Sequence, residues 1–265
     1  MSSTANGNGP GTKKRSSEAS GGPKSPISDS LSKPLPKRFY KAVTLSEGPP
    51  FQVLLDGRPV KTPKKRPLAL PSRKLADAVA EEWTAQDAVI DPSTMPLTRF
   101  SNTALDAVSD ATSEVAADIV AYAGRDLLCY RAEAPQELIA RQAQAWDPIL
   151  NWAQEALDAR FVVVRGVMPV DQPMATLKRV ARALEPHEPF RLTGLHVMTT
   201  LTGSALLALA VARGFLSQEQ AWAAAHVDED YQISLWGEDD EASARRKQRE
   251  KDFAAASQLI ASLAA

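Results

Sequence analysis

The residues best placed to do chemistry lie together near the end of the chain. From His226 to Glu241 the sequence reads His-Val-Asp-Glu-Asp-Tyr-Gln-Ile-Ser-Leu-Trp-Gly-Glu-Asp-Asp-Glu, with seven acids and no base. Arg245, Arg246, Lys247, Arg249 and Lys251 follow directly. Carboxylates at this density suit two chemistries. One is oxygen ligation of a hard cation, which would make Asp228, Glu229 and Asp230 the centre of a metal-dependent enzyme. Against it, adjacent residues on one helix point different ways, and no second ligand set is visible. A calcium loop also needs glycine at its sixth position, where Ile233 stands. The other chemistry is recognition: acidic charge steers a basic partner, while Tyr231 and Trp236 offer the aromatic anchors that interfaces favour. A solvated acidic helix paired with its basic neighbour across a turn is the plain structural alternative. At helical spacing Val227, Tyr231 and Leu235 form an apolar stripe, Asp228, Gln232 and Trp236 form the adjacent row, and Gly237 is a helix stop.

Other catalytic signatures are scarce. The chain has no Gly-x-Gly-x-x-Gly and no Gly-x-Ser-x-Gly. Gly22-Pro23-Lys24-Ser25 resembles the end of a phosphate loop, but proline sits where glycine is needed. His187, His196 and His226 lack metal-ligand spacing and read as structural or surface histidines. Cys129, the single cysteine, sits in the apolar run Leu127-Leu128-Cys129-Tyr130 and reads as a buried, inert thiol. One cysteine makes no internal disulfide, which favours a reducing compartment. Leu195 to Ala212 is an uncharged run of 18 residues. Its three threonines, serine, glycine and histidine suit a buried core helix better than a membrane span.

The elements that must position these residues follow from charge and proline. Of the 265 residues, 44% are hydrophobic and 24% charged, and the formal net charge is −1. That sum hides +5 over residues 1–38, +1 over 39–98 and −7 over 99–265. Thirteen of the nineteen prolines precede residue 98, so helix should dominate only after it. Residues 1–36 are rich in Ser, Gly, Pro and Lys, and are expected to be a disordered basic tail. Residues 37–97 are expected to form a β-rich domain. Strands are predicted near 39–45, 51–55, 59–62 and 68–70, with Asp56-Gly57 as a hairpin turn. A helix capped by Ser72 should run to about Gln86 and turn Leu75, Val79 and Trp83 to one face. Residues 98–265 are expected to form a helical bundle domain, with helices near 99–108, 111–123, 136–146, 148–158, 173–184, 189–212, 217–236 and 239–263. Asp147-Pro148 predicts a helix break, and the β-branched run Phe161 to Val164 predicts a short strand. The fold class is thus α+β, with an N-terminal β-rich domain and a C-terminal all-α bundle.

Several stretches, in order, resemble a known family. They are Arg38-Phe39-Tyr40-Lys41, Val53-Leu54-Leu55-Asp56-Gly57-Arg58-Pro59-Val60-Lys61-Thr62-Pro63, Leu70-Pro71-Ser72, Glu82-Trp83-Thr84-Ala85-Gln86, Met95-Pro96-Leu97-Thr98, Asn102-Thr103-Ala104-Leu105-Asp106, Cys129-Tyr130-Arg131, Trp146-Asp147-Pro148, and Asp230-Tyr231-Gln232 with Trp236-Gly237. Each is weak alone, and the ordered set is specific. The set is similar to the assembly chaperone that binds the α subunit of the catalytic sector of ATP synthase. The resemblance implies an orthogonal helical bundle, no catalysis and no cofactor. The implied task is to hold the free α subunit and prevent its aggregation until the β subunit takes its place. Asp228, Glu229, Asp230, Tyr231, Gln232 and Trp236 are the candidate partner-binding residues, with Glu238 and Asp239 at the rim. Trp83, Trp146 and Asp147 read instead as core or capping residues. No metal, nucleic acid, small-molecule substrate or integral membrane segment is expected. The expected location is the bacterial cytoplasm, or the mitochondrial matrix if the source is eukaryotic.

Overall fold

The computed structural model describes residues 34–166 and 168–263. The expected basic tail lies outside the described residues through Lys33. Residues Lys37–Ala265 form one compact unit. It is an α+β fold, with a small N-terminal sheet followed by a helical region.

The sheet is short because its strands are interrupted by turns and prolines. Strands β1 (Val43–Leu45), β2 (Phe51–Leu55) and β3 (Arg58–Pro59) run antiparallel in that order, and β4 (Ala69–Leu70) pairs with the start of β2. The register sets Val43 opposite Leu55 and Leu45 opposite Val53. Asp56 (φ 47°) and Gly57 (φ 78°) both lie in the left-handed region, as their two-residue turn requires. The Asp56 carboxylate accepts from Lys41 N and Ala42 N, which fixes the start of β1 against the turn.

Helix α1 (Arg73–Thr84) lies on this sheet. Ser72 caps it by accepting from Leu75 N, and Leu75 and Val79 bury the predicted stripe with Val53 and Leu70. Trp83 is half-buried against Tyr40, whose hydroxyl donates to Trp83 O at 2.6 Å. The next residue to act is Glu82. Its carboxylate accepts from Leu97 N, Thr98 N and Thr98 Oγ1 at 2.7–2.8 Å. These are the free amides at the start of α2 (Pro96–Asp106), whose own N-cap, Met95, offers no side-chain acceptor. At the far end of α2, Asp106 accepts from Thr62 Oγ1 and Lys64 N. Two carboxylates therefore fasten the sheet region to the first helix of the bundle.

Beyond lie α3 (Thr112–Ala123), α4 (Gln136–Leu157), α5 (Met174–Ala183), α6 (Pro189–Thr202), α7 (Ala205–Ala212), α8 (Gln218–Ala225), α9 (Val227–Trp236) and α10 (Asp240–Ala261). Helix α6 is central, packing on α2, α3, α7 and α10. A Cβ at Gly194 would stand 2.7 Å from the Ile260 side chain, so glycine sets the close approach of α6 and α10.

Four expectations are corrected. Helix α4 runs unbroken through Pro148, because Trp146 and Ile149 on either side are buried and hold the segment helical by packing. The expected helix 189–212 is two helices, divided at Gly203 (φ 71°) and restarted by Ser204, which caps α7. The expected helix 217–236 likewise breaks at His226. Val162 and Val163 are exposed rather than paired. Only β6 (Val164–Arg165) forms a strand, parallel to β5 (Tyr130–Arg131).

At the α6–α7 break sits Asp126, fully buried, accepting from Leu128 N and Leu206 N. Burial pushes its carboxyl up to about 6, against the pull of bonds from Ser204, Leu206, Leu128 and Ala205. A carboxyl raised by folding stabilises the fold most below its unfolded value and loses that contribution as pH rises through the folded one. Against a non-titrating Asp126→Asn variant, stability should therefore move in the variant's favour between about pH 4 and about pH 7. Asp126→Ala strands the buried amides and should cost about 1–3 kcal/mol. Urea unfolding across that pH range measures both.

Candidate functional site

The acidic stretch folds as a helical hairpin: α9, a turn at Gly237, and the first turns of α10. Gly237 stops α9 with φ 86°. Its base is fixed from α4. Gln142 is 2% exposed, and its amide accepts from Ala132 N and donates to Asp228 Oδ1 at 2.7 Å. One turn further along α4, Trp146 Nε1 donates to Ala224 O at the end of α8. Across the hairpin, Arg246 pairs with Asp230 at 2.5 Å.

The proposed partner-binding residues thus divide by what holds them. Asp228 is committed to Gln142, and Asp230 to Arg246. Tyr231 is 5% exposed, with the Arg141 guanidinium 5.2 Å from its ring centroid. It supports the surface from beneath and offers no ring to a partner, which corrects its reading as an anchor. Glu229 is exposed, 3.8 Å from His226 Nε2. Burial lowers the His226 pKa, helped by Arg246 and Arg249 and opposed by its bond to Trp222 O and by Glu229. The cation nearest Glu229 is then Arg246, which is already paired with Asp230. Gln232 is exposed. Asp239 caps α10 by accepting from Ala242 N, and Glu238 accepts from Ser243 Oγ.

Trp236 is 82% exposed. Leu235 beside it is 53% exposed, although the sequence places it in one stripe with Tyr231. The stripe leaves the body of the bundle at its last turn, so its final apolar member joins Trp236 at the tip. Glu229, Gln232 and Trp236 line a cavity of about 210 Å³ where the two helices diverge. Gln142 and Arg141 carry no local signal, since their partners lie far along the chain on another helix, Asp228 86 residues after Gln142.

Asp228 and Asp230 are drawn to different helices, so the three neighbouring carboxylates do not converge on one point. Among the described residues no three His, Cys, Asp or Glu side chains are placed to hold a metal ion. Cys129 is buried, and its thiol is pushed up to about 12 by burial and by Asp126, against the pull of Arg131, which leaves it inert. No described helix is long and apolar enough to cross a membrane.

The fold has known counterparts. The ATP12 chaperone protein family matches residues 37–154. Atp12 from Paracoccus denitrificans is 41% identical, with a TM-score of 0.81 over 86% of this chain and 98% of that one. The chain belongs to the ATP12 chaperone family. The Atu1473 protein of Agrobacterium tumefaciens is 49% identical, with a TM-score of 0.84 over 90% of this chain and 91% of that one. Mitochondrial Atp12 from Schizosaccharomyces pombe is 23% identical over 227 residues, covering 79% of this chain and 78% of that protein. The chain is accordingly a chaperone for ATP synthase assembly and not an enzyme.

Support and tip should separate on mutation. Gln142→Ala leaves Ala132 N and Asp228 without their buried partner and should cost about 1–3 kcal/mol, with faster amide exchange across α9. Trp236→Ala at the exposed tip should stay within about 0.5 kcal/mol of the parent. Denaturant unfolding with hydrogen exchange checks both.

Proposed function

We propose that this protein binds the free α subunit of the ATP synthase catalytic sector through the tip of its acidic hairpin, and keeps that subunit from aggregating until the β subunit replaces it. The observation that carries this reading is Trp236: a large aromatic side chain, almost wholly in solvent, at the tip of a hairpin whose base is tied down through Asp228 and Asp230. Leaving an indole in water forgoes roughly 1.5–3 kcal/mol of burial, which a partner recovers on docking. Leu235 adds apolar area, Glu229 and Asp239 line the cavity beside Trp236, and Glu238 and Asp240 flank it in sequence with further negative charge. Such a rim speeds encounter with a basic surface and weakens as salt rises. A small aromatic centre in a charged rim also suits a holder that must later be displaced. The reading places the task where the free subunit occurs, in the bacterial cytoplasm or the mitochondrial matrix.

An equimolar amount of the chaperone should suppress light scattering by isolated α subunit and leave β subunit unprotected. Trp236→Ala should weaken α binding by about 2 kcal/mol, roughly thirtyfold. Glu229→Lys should slow association and flatten its salt dependence. Undiminished binding by both variants removes the hairpin from the interface. Failure to suppress scattering removes the α subunit as client.

A further inference from the structure

A second surface, on the sheet region, has the opposite charge. A pocket of about 490 Å³ opens beside β3, with Leu55 and Val60 as its apolar floor and Trp83 and Phe39 as aromatic walls. Phe39 is 73% exposed, its ring edge-to-face with Tyr40 at 5.4 Å between centroids. Arg58 and Lys61 stand at the mouth, both exposed. Neither has an ion-pair or side-chain hydrogen-bond partner among the described residues, whereas neighbouring Arg38, Lys64 and Arg66 are all engaged. The pocket's one acid, Asp56, has its carboxylate taken by Lys41 N and Ala42 N. The indole N–H of Trp83 is sealed from solvent and unpaired. An unpaired buried donor is a standing cost in a folded protein.

We propose that this pocket is a second protein-binding site that takes an apolar side chain flanked by carboxylates on a partner segment. The floor and the two aromatic walls accept the apolar group, and Arg58 and Lys61 meet the flanking acids. The volume holds one or two side chains. Arg58 and Lys61 sit together at one mouth beside an apolar floor, which suits an apolar side chain with flanking acids better than a nucleic acid backbone. The site is independent of the acidic hairpin and of which subunit that hairpin holds.

The Trp83 indole N–H is a built-in reporter, assigned in the full-length protein by its loss in Trp83→Phe. Titration with acetyl-Asp-Leu-Phe-Glu-amide should move that resonance saturably. Acetyl-Lys-Leu-Phe-Lys-amide should not move it. The exposed double variant Arg58→Glu, Lys61→Glu should bind the acidic peptide roughly five- to tenfold more weakly. No shift, an equal shift with the lysine peptide, unchanged affinity in the double variant, or a shift with a short oligothymidylate in place of the peptide would each overturn the assignment. Because the readout needs no ATP synthase subunit, it stands or falls apart from the client of the hairpin.

Discussion

Gln142 has a buried side-chain amide with two partners, the Ala132 N–H behind it and the Asp228 carboxylate in front. A buried amide with both ends satisfied is directional in a way that apolar packing is not. It sets where α9 leaves the bundle. Trp146 adds a second fixed point through Ala224 O, and Arg246 closes the hairpin through Asp230. With its base held at these points, the last turn of α9 projects, and Leu235 and Trp236 are exposed. The same acidic sequence therefore divides by partner: Asp228 and Asp230 tie the hairpin to α4 and α10, Glu238 and Asp239 hold the start of α10, and Leu235 and Trp236 stay in solvent.

Carboxylates do the joining elsewhere too. Glu82 supplies the cap that α2 lacks, Asp106 holds the β3–β4 loop, and Asp126 fills the break between α6 and α7. Each accepts from backbone amides that would otherwise go unpaired beside a helix end or tight loop. Several stretches that carry the family resemblance coincide with these joints: Glu82-Trp83 with Leu97-Thr98, and Lys61-Thr62-Pro63 with Leu105-Asp106. Their recurrence as ordered motifs has a physical cause in the contacts between them.

Local rules account for what was legible in the sequence. The Asp56-Gly57 turn, the Ser72 cap and the Leu75–Val79 stripe each depend on neighbours within a few residues, and they stand as read. Pro148 misleads because its cost falls on one backbone bond, whereas the packing of Trp146 and Ile149 that keeps α4 whole comes from elsewhere in the chain. The break at Gly203 leaves no mark in the periodicity: α6 and α7 are buried nearly all round, polar threonines included, so apolar spacing carries no boundary. At the candidate site the acidic residues and Trp236 were legible by type. The burial of Tyr231 and the exposure of Leu235 were not, since both follow from where α4 ends the contact. The +5, +1 and −7 of the three segments likewise located charge without showing which charges are free.

The central claim is that the tip of the α9–α10 hairpin touches the α subunit. A photo-crosslinking residue at position 236, in full-length chaperone co-expressed with α and β subunits, tests it most directly. The account predicts a crosslink to α and none to β. A crosslink to β, or none from position 236 while the chaperone still captures α, would contradict it.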